Sequence, residues 1–336
     1  MIRHGLVSCM AFLVCCAAML TASESSAAEV NLYSARSHYG SEPAFEAFTR
    51  KTGIRVNTFG GSGQEIFERL RAEGDKTRAD VLVTVDAGNL WNAARHGLLA
   101  RVESAALAAD VPAHLRDPEG RWFGLTLRVR TIVYGTQRVR PDQLSTYEAL
   151  GAPRWKGRLC LRSSSHIYNQ SLLATWIERS GEAKVEEIVR GWVRNDPAII
   201  ASDTKILEAV AAGQCDVGIA NTYYLARLLA KDPQFPVAPF WADQAGAGVH
   251  VNISGAGVTA HAQNRPQAVA LLEYLASPEA QSAFADGNFE YPANPRVPAH
   301  AILRGWGTFR QDTTPVAAAG EFQAAAVRLA DRAGYR

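Results

Sequence analysis

Cysteine is scarce in this chain and sits mostly at one end. Of five residues, Cys9, Cys15 and Cys16 fall within the first sixteen positions. No Cys-x-x-Cys spacing and no redox motif exists. Beyond the N-terminus no stretch reaches the ~20 apolar residues that a membrane-spanning helix needs. There is no block of Lys or Arg, and a formal net charge of +2 is too small to argue for nucleic acid. G-x-S-x-G, H-E-x-x-H and the Walker loop are all missing, so the familiar hydrolase, metalloprotease and nucleotide-binding signatures are excluded. The eight histidines are scattered without metal-ligand spacing.

What remains is an ordinary globular composition, 47% hydrophobic and 20% charged over 336 residues. That length predicts two domains and a full core needing no staples. The N-terminus reads as a signal peptide: "MIRHG" is a positive n-region, "LVSCMAFLVCCAAML" an apolar h-region, and "TASESSAA" a small-residue tail. Cleavage is expected near Ala28-Glu29, which leaves the charge at +2. Leu6-Val7-Ser8-Cys9 resembles a lipoprotein site, but its apolar stretch lies on the wrong side of the cysteine. After cleavage only Cys160 and Cys215 remain. In an oxidising compartment the two are expected to pair, the alternative being two separate buried thiols. The closed loop of about 54 intervening residues would contribute ~4 kcal/mol on the chain-entropy model.

Along the mature chain, "EVNLYSA", "IRVNTF" and "ADVLVTV" read as strands. The helices "PAFEAFTRKTG" and "QEIFERLRAEG" lie between them, with Pro43 in a first helical turn and Gly53 at a C-terminal end. Such alternation predicts a parallel sheet with crossover helices. "RTIVYG", "RLCL" and "CDVGIA" read as further short strands, and "VHVNISGAGV" as a strand pair or one bent strand. "QSLLATWIER", "AKVEEIVRGWVR", "TKILEAVAAG" and the C-terminal "EFQAAAVRLADRAG" read as helices. Ser277 and Pro278 mark a helix start. An exported α/β chain of two-domain length without a linker predicts a two-lobed binding protein. Its chain crosses between lobes near Leu125–Arg130 and His250–Ser254, and ligand binds in the cleft. The lobes are expected to comprise residues 29–126 plus about 253–303, and 127–252 plus about 304–336.

The tyrosines are the most informative side chains. Tyr39 follows His38 in a polar loop after the first strand, Tyr134 ends a strand, and Tyr223-Tyr224 stand side by side after "CDVGIA". Neighbouring residues point about 100° apart on a helix and to opposite faces on a strand, so two adjacent phenols are odd for a core. A phenol ionises near pH 10 in water and becomes phenolate beside a strong positive charge such as a metal ion. Phenolate is a hard anionic donor suited to ferric iron. Taken as chemistry alone, a metal site and ordinary packed tyrosines with local hydrogen bonds both fit. "GGSG" at 60–63 opens a helix and is either an anion site or a plain turn.

"YSARSHY", "DVLVTVDAGNLW", "RVRTIVYG", "WKGRLCLRSSSHIYNQSL" and "GQCDVGIANTYYLARLL", in order over nearly all of the mature chain, resemble the periplasmic ferric-iron-binding proteins that feed ABC transporters. The resemblance implies a type II two-lobed periplasmic-binding-protein fold, each lobe a mixed sheet flanked by helices. In the tyrosine-rich branch, iron(III) is held by a His-Tyr pair on one lobe and tyrosines on the other. The matching positions are His38 and Tyr39, Tyr134, and Tyr223 with Tyr224. Cys160 and Cys215 match a disulfide of that branch. Ser37 separates Arg36 from His38-Tyr39, where relatives have Arg-His-Tyr joined. Another branch uses a first-lobe carboxylate, which makes Asp86 a reserve ligand against its reading as a helix N-cap. Arg128, Ser165 and Asn221 resemble positions that support the site or hold a synergistic anion such as carbonate, phosphate or citrate.

The function implied is a monomeric, non-catalytic receptor that closes on ferric iron in the periplasm and delivers it to an inner-membrane ABC permease. Protonation of phenolates or reduction of the ion would weaken binding. The competing expectation is a binding protein for an oxyanion, phosphonate or polyamine, using "GGSG" and "SSSH" as anion loops. An exported hydrolase or lyase has no supporting motif.

Overall fold

The computed structural model describes residues 28–36 and 42–336. Nearly all of the expected signal segment, together with His38 and Tyr39, lies outside the described residues.

Three strands open the first sheet: β1 (Glu29–Ser34), β2 (Arg55–Gly60) and β3 (Val81–Val85), parallel and in the order β2-β1-β3. Helices α1 (Pro43–Thr52) and α2 (Gly63–Glu73) connect them. Pro43 stands in the first turn of α1, and Gly53 ends it with φ 74, a left-handed geometry that glycine adopts without a Cβ penalty. Then come α3 (Ala87–Arg95), α4 (Ala105–Asp110) and β4 (Phe123–Gly135). The second sheet is built from β5 (Leu159–Arg162), β6 (Ala198–Ile200), β7 (Val217–Asn221) and β8 (Val237–Phe240). Its helices are α5 (Ile167–Ser180), α6 (Glu182–Arg194), α7 (Asp203–Ala211) and α8 (Thr222–Lys231). The chain returns to the first sheet with β9 (Val251–Val258), α9 (Arg265–Ala276), α10 (Pro278–Asp286) and β10 (Tyr291–Pro292). It ends in α11 (Ala301–Arg304), α12 (Ala318–Glu321) and α13 (Gln323–Arg332).

β4 joins the two halves. The sequence suggested a short strand at "RTIVYG"; the structure has thirteen residues, buried throughout. Residues 123–129 pair with β9, and residues 130–135 pair antiparallel with β7, with β8 alongside. The stretches expected to cross between lobes lie against each other, Arg128 opposite Asn252 and Val129 opposite Val251. Side chains two apart on a strand share a face. Thr126, Arg128 and Arg130 therefore form a buried polar row along one face of the strand. α12 packs against both α3 and α5, and its Gly320 lies so close to Trp91 that a Cβ there would collide with the ring. This is the expected α/β, type II two-lobed fold. Cys160 on β5 and Cys215 just before the adjacent parallel strand β7 are joined in a disulfide, with Cα atoms 5.8 Å apart.

Candidate metal centre

β5 and β7 are parallel neighbours, so the helices that follow them start at the same edge of the sheet. Tyr168 is the second residue of α5; Tyr223 and Tyr224 are the second and third of α8. Their hydroxyls meet. Tyr223 Oη lies 3.3 Å from Tyr168 Oη. Arg128, reaching across from β4, donates through Nη2 to Tyr168 Oη at 2.7 Å and to Tyr223 Oη as well. Asn221 Nδ2 donates to Tyr223 Oη at 3.3 Å. Asn221 is held in turn by its backbone N–H, which donates to Asp203 at 2.9 Å, while Asp203 is paired with Arg130 at 2.8 Å. The Tyr223 and Tyr224 rings lie 4.3 Å apart, centroid to centroid.

The tyrosine pair follows β7 directly, at the strand-to-helix junction. Both residues belong to the first turn of a regular helix. Tyr223 turns inward and is fully buried, while Tyr224 is half-buried at the edge of a smaller apolar cluster.

Electrostatics pull in two directions here. Burial, and next the neighbouring Tyr168 phenol, raise the Tyr224 hydroxyl above the ordinary tyrosine range, so it is protonated near pH 7. Against this, three guanidinium groups surround the phenols. Arg128 lies 4.5 Å from the Tyr223 ring centre, Arg162 5.3 Å from that of Tyr168, and Arg227 5.2 Å from that of Tyr223. His166 caps α5 through Nδ1, which accepts the Tyr168 N–H at 3.2 Å. Burial and the nearby Arg162 lower its pKa to about 4, so it is neutral near pH 7.

Arg128 also reaches the first sheet. Its Nη1 pairs with Glu290 at 2.6 Å, and Glu290 pairs with Arg36 at 2.9 Å. Arg36 then bonds Glu42 at 3.0 Å. Burial opposes the Glu290 charge, but Arg36 and Arg128 outweigh it and bring the pKa to about 2. Arg36 and Glu42, the described residues on either side of positions 37–41, both belong to the ion-pair chain that reaches Arg128. Among the described residues no group of three or more His, Cys, Asp or Glu side chains is placed to hold a metal.

A family model for bacterial extracellular solute-binding proteins matches residues 76–303. The chain belongs to that family. This solute-binding protein is 42% identical over 317 residues to Iron uptake protein A1 of Synechocystis sp., covering 92% of this chain and 88% of that protein. It is 28% identical over 293 residues to the Major ferric iron-binding protein of Neisseria meningitidis serogroup B, covering 84% and 86%. Among solved structures, Trichodesmium FutA (IdiA) in complex with iron and citrate ligands matches with TM-score 0.88 and 45% identity, over 92% of this chain and 100% of that one.

In the solute-binding protein the sequence-derived site residues do not all converge. Tyr223, Tyr224, Arg128 and Asn221 come together; Tyr134 does not. β4 runs antiparallel to β7, so Tyr134 pairs with Val217 while Arg130 pairs with Asn221. Four residues of strand, about 13 Å, separate Tyr134 from the level of Asn221. Its ring lines a groove with Phe240, Trp241 and Trp306 instead. The ligand role that the resemblance implied for Tyr134 is not supported by this placement. Asp86 is an N-cap, as its other reading held. Its carboxylate is buried and accepts from Gly88 N–H, Ser171 Oγ and Asn252 Nδ2 at 2.8–2.9 Å, which uses it up as a ligand. Ser165 is exposed and bonded to Ser163 at 2.8 Å. "GGSG" is closed by its own helix: Ser62 and Glu65 form a capping box, so the Glu65 carboxylate already holds the Ser62 amide.

Tyr168 is the residue the sequence reading missed. Its signal was available, since "HIYNQS" puts it at the same second helical position that Tyr223 occupies in "NTYY". Glu290, which joins the two sides, carried no local pattern.

Proposed function

We propose that this protein captures ferric iron in the periplasm and hands it to an ABC permease, without catalytic turnover. The observation that carries this is the meeting of Tyr168, Tyr223 and Tyr224 at two helix starts, beside Arg128 and without a competing carboxylate or thiol cluster among the described residues. Three phenols ionised together neutralise a trivalent cation, and a divalent ion gains less from them. Tyr39, and with it His38, complete the site from the other lobe, as the resemblance to ferric-iron-binding proteins implies. Arg128 and Asn221 orient the phenols. A synergistic anion such as citrate, held with iron in the Trichodesmium structure, fills remaining coordination from the Ser163–Ser165 side. The names of the relatives support iron as the ligand.

The lobes divide at 29–126 plus about 253–303, and 127–252 plus about 304–336, a division supported by the change of β4 partners near Arg130. The chain acts as a monomer after removal of residues 1–28. No helix among the described residues is long and apolar enough to cross a membrane. Each phenol that binds iron gives up a proton, so affinity falls as pH falls, and reduction to ferrous iron weakens binding further. Titration of the purified protein with ferric citrate tests the reading. The expected result is a visible phenolate-to-iron charge-transfer band saturating at one ion per chain. A colourless mixture with no retained iron overturns it, and a melting shift with sulfate or a polyamine in its place supports the oxyanion or organic-ligand alternative.

A further inference from the structure

Asp86 has left the ligand set, yet its environment is costly to build. The side chain is fully buried at the end of β3, and its backbone has φ 76 and ψ 124, a left-handed geometry that non-glycine residues rarely adopt. Such strain persists where the surroundings over-determine it. They do so here. Gly88 of α3 donates to Oδ1 at 2.9 Å, Asn252 of β9 to Oδ2 at 2.9 Å, and Ser171 of α5 lies 2.8 Å from both oxygens. Asn252 Oδ1 accepts the N–H groups of Ala87 and Ile253 at 2.9 and 2.8 Å, so its amide orientation is fixed.

These bonds join three bodies. α3 belongs to the first lobe, β9 lies against the crossing segment of β4, and α5 belongs to the second lobe. Ser171 is three residues past Tyr168 on α5, so the two share a helix face. Where Ser171 is held, Tyr168 is held one turn away.

We propose that Asp86 is an interlobe tether: a positioning residue that, through Ser171, fixes α5 and the Tyr168 phenol relative to the first lobe and the hinge. It touches no bound ion. A bond from a hydroxyl to a buried carboxylate is a strong one. The reading of Tyr168 as an iron ligand underlies the binding half of this proposal; the tether itself is independent of iron.

The test uses Ser171→Ala in the full-length mature protein, with Thr175→Ala as comparison. Alanine is the better helix former, so loss of the serine does not weaken α5 itself. Thr175 bonds the Ser171 carbonyl within the helix at 2.8 Å and leaves the tether intact. Small-angle scattering without iron should show Ser171→Ala populating a more open form than wild type, with Thr175→Ala unchanged. With ferric citrate, Ser171→Ala should bind about tenfold more weakly and shift the charge-transfer band. Identical scattering for wild type and Ser171→Ala overturns the tether, and so does an equal opening by Thr175→Ala. Failure of wild type to bind iron overturns the functional reading instead, and leaves the scattering comparison to decide the tether.

Discussion

Two strand-to-helix junctions in this protein hold equivalent places in the fold and differ in use. At "GGSG" the chain leaves β2 and enters α2, and Ser62 and Glu65 satisfy the helix start between them. At "NTYY" the chain leaves β7 and enters α8, and Asn221 makes no side-chain cap at all. Its amide turns to Tyr223 Oη instead. The first junction spends its polar groups on its own helix. The second spends them on orienting phenols that face three arginines. A helix start that fills its own amides is architecture; one that gives its cap residue to a neighbouring hydroxyl has been built around something else.

The largest effect that would break this contrast is expected at Tyr223. Tyr223→Phe removes the oxygen on which Arg128, Asn221 and Tyr168 converge. Iron retention in equilibrium dialysis should fall by at least a hundredfold, with the visible band lost; retention within twofold of wild type would mean that the junction is packing after all.

Next comes the ion-pair chain linking the two lobes. Glu290→Gln leaves Arg36 and Arg128 facing each other without their shared carboxylate, a loss of about 3–5 kcal/mol readable by urea denaturation. The same group sets an acid limit. Its folded pKa of about 2 lies below the ordinary 4.5, so its contribution is present above pH 4.5 and is lost as pH falls through about 2. Urea midpoints taken across that window should fall in wild type and stay flatter in the variant.

Tyr168 and Tyr134 sharpen the comparison. Tyr168→Phe should weaken iron binding by at least tenfold, and Tyr134→Phe by less than twofold, because β4 directs Tyr134 to the far end of the sheet. Equal losses would contradict the antiparallel placement. Smallest of all, Glu65→Ala at the self-capped junction should lower stability slightly, through the lost half of the capping box, and leave iron affinity unchanged. A change in affinity there would revive "GGSG" as an anion loop.

Much of the fold was legible because its signals are local. Pro43, Gly53, Ser277 and Pro278 mark helix ends through backbone geometry alone, and they stand where the sequence put them. The full length of β4 was not legible. Its central "TLRVR" looks polar for a buried strand, and the partners that satisfy Thr126, Arg128 and Arg130 lie more than thirty residues away in sequence. The site divides in the same way. Tyr223 and Tyr224 announced themselves by adjacency. The direction of β4, which carries Tyr134 away from Asn221, was not legible because strand direction is a property of the sheet and not of the segment. Tyr168 was passed over because one tyrosine in a helix looks like packing until the partner helix is beside it. Asp86 was ambiguous between cap and ligand until Ser171 and Asn252 were seen to occupy its oxygens.

The most direct test of the central claim is an anomalous difference map at the iron edge from crystals of the iron-loaded protein. One peak is predicted, within bonding distance of the hydroxyl oxygens of Tyr168, Tyr223 and Tyr224 and far from Tyr134. A peak at Tyr134, or one bound by no tyrosine, would contradict the account.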